Sequence, residues 1–160
     1  CLVGFVFSAT RGFTLQMAHN AGQVYDTANH DRSAQAYFAV DAVPTGLARS
    51  AEGVVAICCP NPGRADVLAT TSAGSLVMAP KLFLESAVPI ADGATLNTAV
   101  ADVKGALATF RSQHQLDRIH LFVKAPSFFA MALGHRLNGV GEVQLYDWVG
   151  HRYAATALIG

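Results

Sequence analysis

RIHLFVKAPSFFAMALGHRLNGVGEVQLYDWVGHRYAATALI, residues 118–159, is the stretch whose reading decides the fold. Its β-rich apolar run at 118–124 stops at the small-residue turn Lys124-Ala125-Pro126. A helical pattern over 127–138 follows, then two short strands at 142–148 and 152–159. The chain's opening echoes this unit. Residues 2–41 begin with an apolar run, 2–8, that ends at Ser8-Ala9-Thr10, and a helix is predicted over 12–21 with Gly22 as its C-cap. Phe13 and His19 stand where the second copy has Phe129 and His135. Tyr25-Asp26 answers Tyr146-Asp147, and Tyr37 answers Tyr153. A unit present twice predicts two related half-domains in a pseudo-two-fold relation, with a ligand cleft between them.

Between the copies, GVVAICC at 53–59 is apolar on both faces, as a central strand of a parallel sheet requires. Pro60-Asn61-Pro62-Gly63 ends it, and 64–73 reads as a short helix. Residues 75–79 and 82–84 read as a strand or an irregular crossover. Over 95–113 the residues Leu96, Ala99, Val100, Val103, Leu107 and Phe110 recur at helical spacing, with Asp102, Lys104 and Arg111 off the stripe. Strands are also expected at 23–26 and 34–42, around a polar loop at 27–32. The alternation of strand and helix is α/β, Rossmann-like in each half. Pro44-Thr45-Gly46 marks the joint, dividing 1–46, the end of a first half, from 47–160, the second. The chain starts at Cys1, almost inside a strand, so the first half is expected to be incomplete at its N-terminus, with an effector domain upstream.

Bulk properties narrow the function. Of 160 residues 52% are apolar and 14% charged, enough material for a packed core. The formal net charge is zero, which argues against a long nucleic acid held by backbone neutralisation but not against a small anion. Three cysteines, two of them adjacent (Cys58-Cys59), make neither a disulfide framework nor a zinc spacing, and point to a reduced, cytoplasmic setting. No apolar run approaches the roughly 20 residues of a membrane span, and no signal-like segment opens the chain.

Gly139-Val140-Gly141-Glu142 lacks the third glycine of a dinucleotide fingerprint and precedes a strand, so it reads as a helix-to-strand turn. No phosphate-loop motif occurs. The histidines, His19, His30, His114, His120, His135 and His151, have no metal-ligand spacing, and no metal or cofactor is expected. There is no nucleophile elbow, and Ser127 reads equally as a helix-opening serine. Three strand-to-helix junctions carry more promise: Ser8, Thr10 and Arg11; Pro60, Asn61 and Arg64; Lys124, Ala125, Pro126 and Ser127. Each sets small or hydroxyl side chains beside a cation where helix N-termini offer free amides, a chemistry suited to phosphate and equally to ordinary turns. Tyr146 and Trp148 on the neighbouring strand either stack on a base or pack in the core.

Ile119-His120-Leu121-Phe122-Val123-Lys124-Ala125-Pro126-Ser127, then Ala132-Leu133-Gly134-His135-Arg136-Leu137-Asn138, then Val143-Gln144-Leu145-Tyr146-Asp147-Trp148 resembles the C-terminal part of SAVED domains. Residues 3–38 are similar, more weakly, to the end of the first half of such a domain. The resemblance implies two fused CARF-like halves that sense a cyclic di-, tri- or tetranucleotide between them in bacterial anti-phage defence (CBASS and type III CRISPR). It further implies a ligand-induced homo-oligomer that activates a fused effector, rather than an enzyme in this chain. The sequence departs from symmetry at Thr10-Arg11, where the second copy has Pro126-Ser127. The alternative is a ring nuclease or phosphodiesterase with His120 or His151 as general base. A third possibility is an oligomerising module without a small ligand.

Overall fold

The computed structural model describes residues 16–19, 23–26, 30–43, 50–137 and 139–160. Two strands, β1 (Gln16–His19) and β2 (Gln23–Asp26), pair antiparallel as a separate two-stranded sheet. The rest builds one six-stranded sheet from β3 (Ala39–Val43), β4 (Glu52–Cys58), β5 (Lys81–Glu85), β6 (Arg118–Lys124), β7 (Glu142–Val149) and β8 (Arg152–Ile159). Its order is β3-β5-β4-β6-β7-β8. The four inner strands are parallel and the two outer ones antiparallel. Helices α1 (Arg64–Thr70), α2 (Gly93–His114) and α3 (Ser127–Arg136) connect the parallel strands. The α/β reading therefore stands, with β4 central as its apolar run requires.

Alternation along the inner strands sorts the core into two layers. Val55 and Ile57, Leu82 and Leu84, and Ile119 and Leu121 face α2 and α3. Val54, Ala56 and Cys58, with Phe83 and Phe122, face Val67 of α1 and Tyr153 of β8. On α2 all six residues of the apolar stripe are buried, and Asp92 caps the helix by accepting from Thr95 N. Lys81 opens β5 buried, its ammonium donating to the carbonyls of Leu76, Val77 and Ala79, so its charge is fully hydrogen-bonded.

Two local expectations change. Residues 16–19, inside the expected helix 12–21, are strand β1, with Met17 opposite Tyr25. Gln16-Met17-Ala18-His19 fits a period of two as readily as a helical one, and hydrogen bonding to β2 decides between them. His19 is thus on a strand where His135 is on a helix, and the two copies diverge there. Strand β3 starts only at Ala39. Before it, the backbone is satisfied by α2 side chains: Ser33 N donates to Thr98 Oγ1, and Tyr37 N and Phe38 N donate to Asp102. Residues 39–43, read as closing the first half, form an edge strand on β5. The expected strand 2–8 lies outside the described residues.

Gly139-Val140-Gly141 forms the turn from α3 into β7. Gly141 has φ +75°, and a Cβ there would come within 2.4 Å of the Arg111 guanidinium, which is fixed by Val140 O and Asp117 O. The glycine serves a close approach in a turn, not a cofactor.

Candidate functional site

The chain passes from β4 through α1 to β5 on one side, then returns across β4 by α2 to β6 on the other. The direction of winding therefore reverses between β4 and β6. In open parallel sheets a crevice opens there, outside the carboxyl ends of the strands. Its walls are the two described junctions singled out in the sequence. Pro60, Asn61 and Arg64 come from β4–α1; Lys124, Ala125, Pro126 and Ser127 come from β6–α3. Cys59 N donates to Lys124 O at 2.9 Å, clipping the two strand ends together. Ser8, Thr10 and Arg11 lie outside the described residues.

The crevice cations are already engaged. Lys124 Nζ donates to Pro62 O at 2.7 Å and lies 3.3 Å from Asp66 Oδ2. Arg64, by contrast, turns away from the β4–β6 gap: it pairs with Asp41 of β3 at 2.6 Å, reaches Glu85 of β5 at 3.7 Å, and stacks over the Phe83 ring of β5. Gly63 lets the loop close over Lys124, since a Cβ there would meet Cys58 Sγ at 2.8 Å and Lys124 Cδ at 2.9 Å. Both lysine and arginine side chains remain partly open to solvent, and Asn61 and Ser127 are exposed. Beneath them Cys58 and Cys59 are buried free thiols, and burial, assisted by Glu85, pushes Cys58 up to about 11. It is a packing residue, not a nucleophile.

The two aromatic candidates part ways. Tyr146 stacks on Phe122 with ring centroids 4.2 Å apart, and its hydroxyl meets His120 Nδ1 at 2.9 Å. One face of its ring thus belongs to the core. Trp148 is 46% exposed and touches Tyr153 edge-on. With Asp66 and Thr70 of α1, His151 of the β7–β8 turn and Arg152 at the start of β8, it lines a cavity of about 350 Å³. Asp66 belongs to both this cavity and the Lys124 contact, so cavity and crevice adjoin. No local pattern marked Asp66, Thr70 or Arg152, because their relevance comes from α1 packing against β8.

His120 is 6% exposed, held between Tyr146 and Glu52, whose Oε1 is 3.3 Å from Nε2 but off the line of a hydrogen bond. Burial lowers its pKa against the pull of Glu52. Lying toward the amino end of β6, it is remote from the crevice mouth and cannot meet a phosphate there. His151 stays exposed beside Trp148, at φ +69°. Among the described residues no group of three or more histidine, cysteine or acidic side chains is placed to hold a metal, and no helix is long and apolar enough to cross a membrane.

The SAVED family, described as the SMODS-associated and fused to various effectors sensor domain, matches residues 1–159. CD-NTase-associated protein 4 of Acinetobacter sp. (strain ATCC 27244 / 9458) is 45% identical over 159 residues, covering 98% of this chain and 33% of that protein. Its namesake in Moraxella osloensis is 42% identical over 158 residues, with the same coverage of 98% and 33%. Among solved structures, the Acinetobacter baumannii Cap4 SAVED/CARF-domain containing receptor with the cyclic trinucleotide 2'3'3'-cAAA is similar with a TM-score of 0.87 at 42% identity, over 99% of this chain and 35% of that one. The corresponding receptor of Moraxella osloensis has a TM-score of 0.76 at 40% identity, over 100% of this chain and 34% of that one. The chain spans about a third of the length of the curated relatives it matches.

Proposed function

The chain belongs to the SAVED family of sensor domains, and on that premise we propose that it binds a cyclic oligonucleotide at the switch-point crevice. The observation that carries this reading is its 42% identity to a receptor solved with cyclic trinucleotides of adenosine. A cyclic trinucleotide is accordingly the preferred ligand. One phosphate meets Lys124 and the free amides that open α3 at Ser127, and one base enters the cavity beside Trp148. Asn61 borders the same opening from the other wall. Tyr146 backs this surface through the aromatic stack. Binding then favours a homo-oligomer, which activates a fused effector in CBASS-type defence.

The domain acts as a sensor rather than an enzyme: its relatives are described as receptors. The position of His120 also removes one of the two histidines a phosphodiesterase would draw on. Calorimetric titration with 3'3'3'-cAAA and 2'3'3'-cAAA, followed by chromatography of the recovered ligand, tests both parts. Saturable binding with intact ligand is expected. Absence of binding to either ring would overturn the reading, and linear products would convert it into the phosphodiesterase alternative.

A further inference from the structure

On the α2–α3 side of the sheet, away from the crevice and its tryptophan cavity, three separate segments bring basic side chains to one place. His30 and Arg32 come from the irregular stretch before β3, Lys104 from α2, and His135 and Arg136 from the end of α3. Together with Val100 and Ala101 they line a pocket of about 370 Å³, and among the described residues none that lines it is acidic. We propose that this pocket is a second anion site, separate from the crevice, that takes a phosphate-bearing ligand.

The pocket is built, not a chance meeting of surface charges. Asn97 and Thr98, both buried on α2, bind the backbone of the 30–33 stretch. Asn97 Nδ2 donates to Asp31 O at 3.0 Å, and Thr98 Oγ1 accepts from Ser33 N at 2.7 Å. Asp102 fixes the same stretch further on through Tyr37 N at 2.7 Å. These contacts hold His30 and Arg32 opposite α3, where Arg136 Nη2 lies 3.3 Å from His30 Nδ1. Cations in a last helical turn suit the helix dipole, which accounts for His135 and Arg136 alone. It does not account for Arg32 and Lys104, which arrive from other elements.

The basic groups feel one another. Burial, then the Arg32 guanidinium, pushes Arg136 below its usual range, and burial, then Arg136, does the same to His135. His135 Nδ1 is buried and has no hydrogen-bond partner among the described residues. An anion seated between these groups relieves their repulsion and can use several donors at once. A volume of a few hundred Å³ suits a small phosphorylated molecule or one phosphodiester unit of a longer one.

The experiment is a calorimetric titration with inorganic pyrophosphate and, separately, with linear triadenylate, against sodium chloride at matched ionic strength. Lys104→Gln and Arg32→Gln serve as variants because both side chains are exposed and neither holds the core. Saturable binding of either probe, weakened about tenfold or more in both variants, is expected, as loss of a charge-assisted contact predicts. A preference for triadenylate assigns the site to a phosphodiester, a preference for pyrophosphate to a free polyphosphate. No saturable heat from either probe, a response matched by sodium chloride, or unchanged affinity in the variants would overturn the proposal. None of these results depends on binding of cyclic rings at the crevice.

Discussion

The switch-point crevice and the pocket between α2 and α3 use similar side chains in opposite ways. At the crevice junctions each described cation has a carboxylate beside it: Lys124 has Asp66, and Arg64, turned toward β3 and β5, has Asp41 and Glu85. Among the described residues, the pocket's lining carries three cations, Arg32, Lys104 and Arg136, beside two histidines, and no carboxylate. Pairing fixes a long side chain in space and lowers its pull on a distant anion. Cations from three segments set side by side repel one another, a cost that the proposed anion would relieve. The crevice is therefore organised for geometry, the pocket for charge.

Reversing the charge at the crevice tests that contrast hardest. Lys124→Glu places a second carboxylate against Asp66 and removes the contact to Pro62 O, so affinity for 3'3'3'-cAAA should fall by about 100-fold or more. Were Lys104→Glu to produce the larger loss in the same titration, the pocket would be the ring's main phosphate contact and the contrast would reverse. Trp148→Ala comes next, with a loss of about 10- to 100-fold for one base stack. Because Trp148 is half exposed, its removal should barely move the thermal midpoint, and a large drop in that midpoint would instead make it a packing residue.

A smaller effect carries the opposite sign. Asp66→Asn leaves Lys124 in place but removes the competing carboxylate 3.3 Å away, so low-salt affinity for the ring should rise about two- to fivefold. A fall would show that Asp66 aims Lys124 or binds the base itself. The mildest test is a pH series of thermal unfolding. His120 and His135 are both lowered below the ordinary histidine value, mainly by burial. The unfolded chain therefore takes up protons first, so stability holds above about pH 6.5 and falls as pH drops below it. His120→Gln should flatten the sheet's share of that slope, and pyrophosphate should reduce the share of His135 by favouring its charged form. An unchanged slope in His120→Gln would place the titration elsewhere.

Much of this was legible in the chain. The apolar run at β4, the stripe of α2 and the strand–helix–strand–strand ending reached the structure nearly intact, since burial on two faces, one stripe or alternate residues leaves a local period. The junction residues were also legible, because turn chemistry at strand ends is local. The cations' partners were not. Lys124 and Asp66 are 58 residues apart, and Arg136 and His30 are 106 apart. Nor was β1, where a four-residue segment satisfies either period until a partner strand claims it.

The sequence by itself determined the α/β class, the order of elements from β4 onward, the family and the sites where strands yield to helices, because each is written in local spacing or in short motifs. Only the tertiary structure decided that winding reverses between β4 and β6, and that Asp66 joins Lys124 to the Trp148 cavity. It also decided that three distant segments share one basic pocket. Those are contacts across the fold, set by which surfaces exclude water together and which charges then find themselves neighbours.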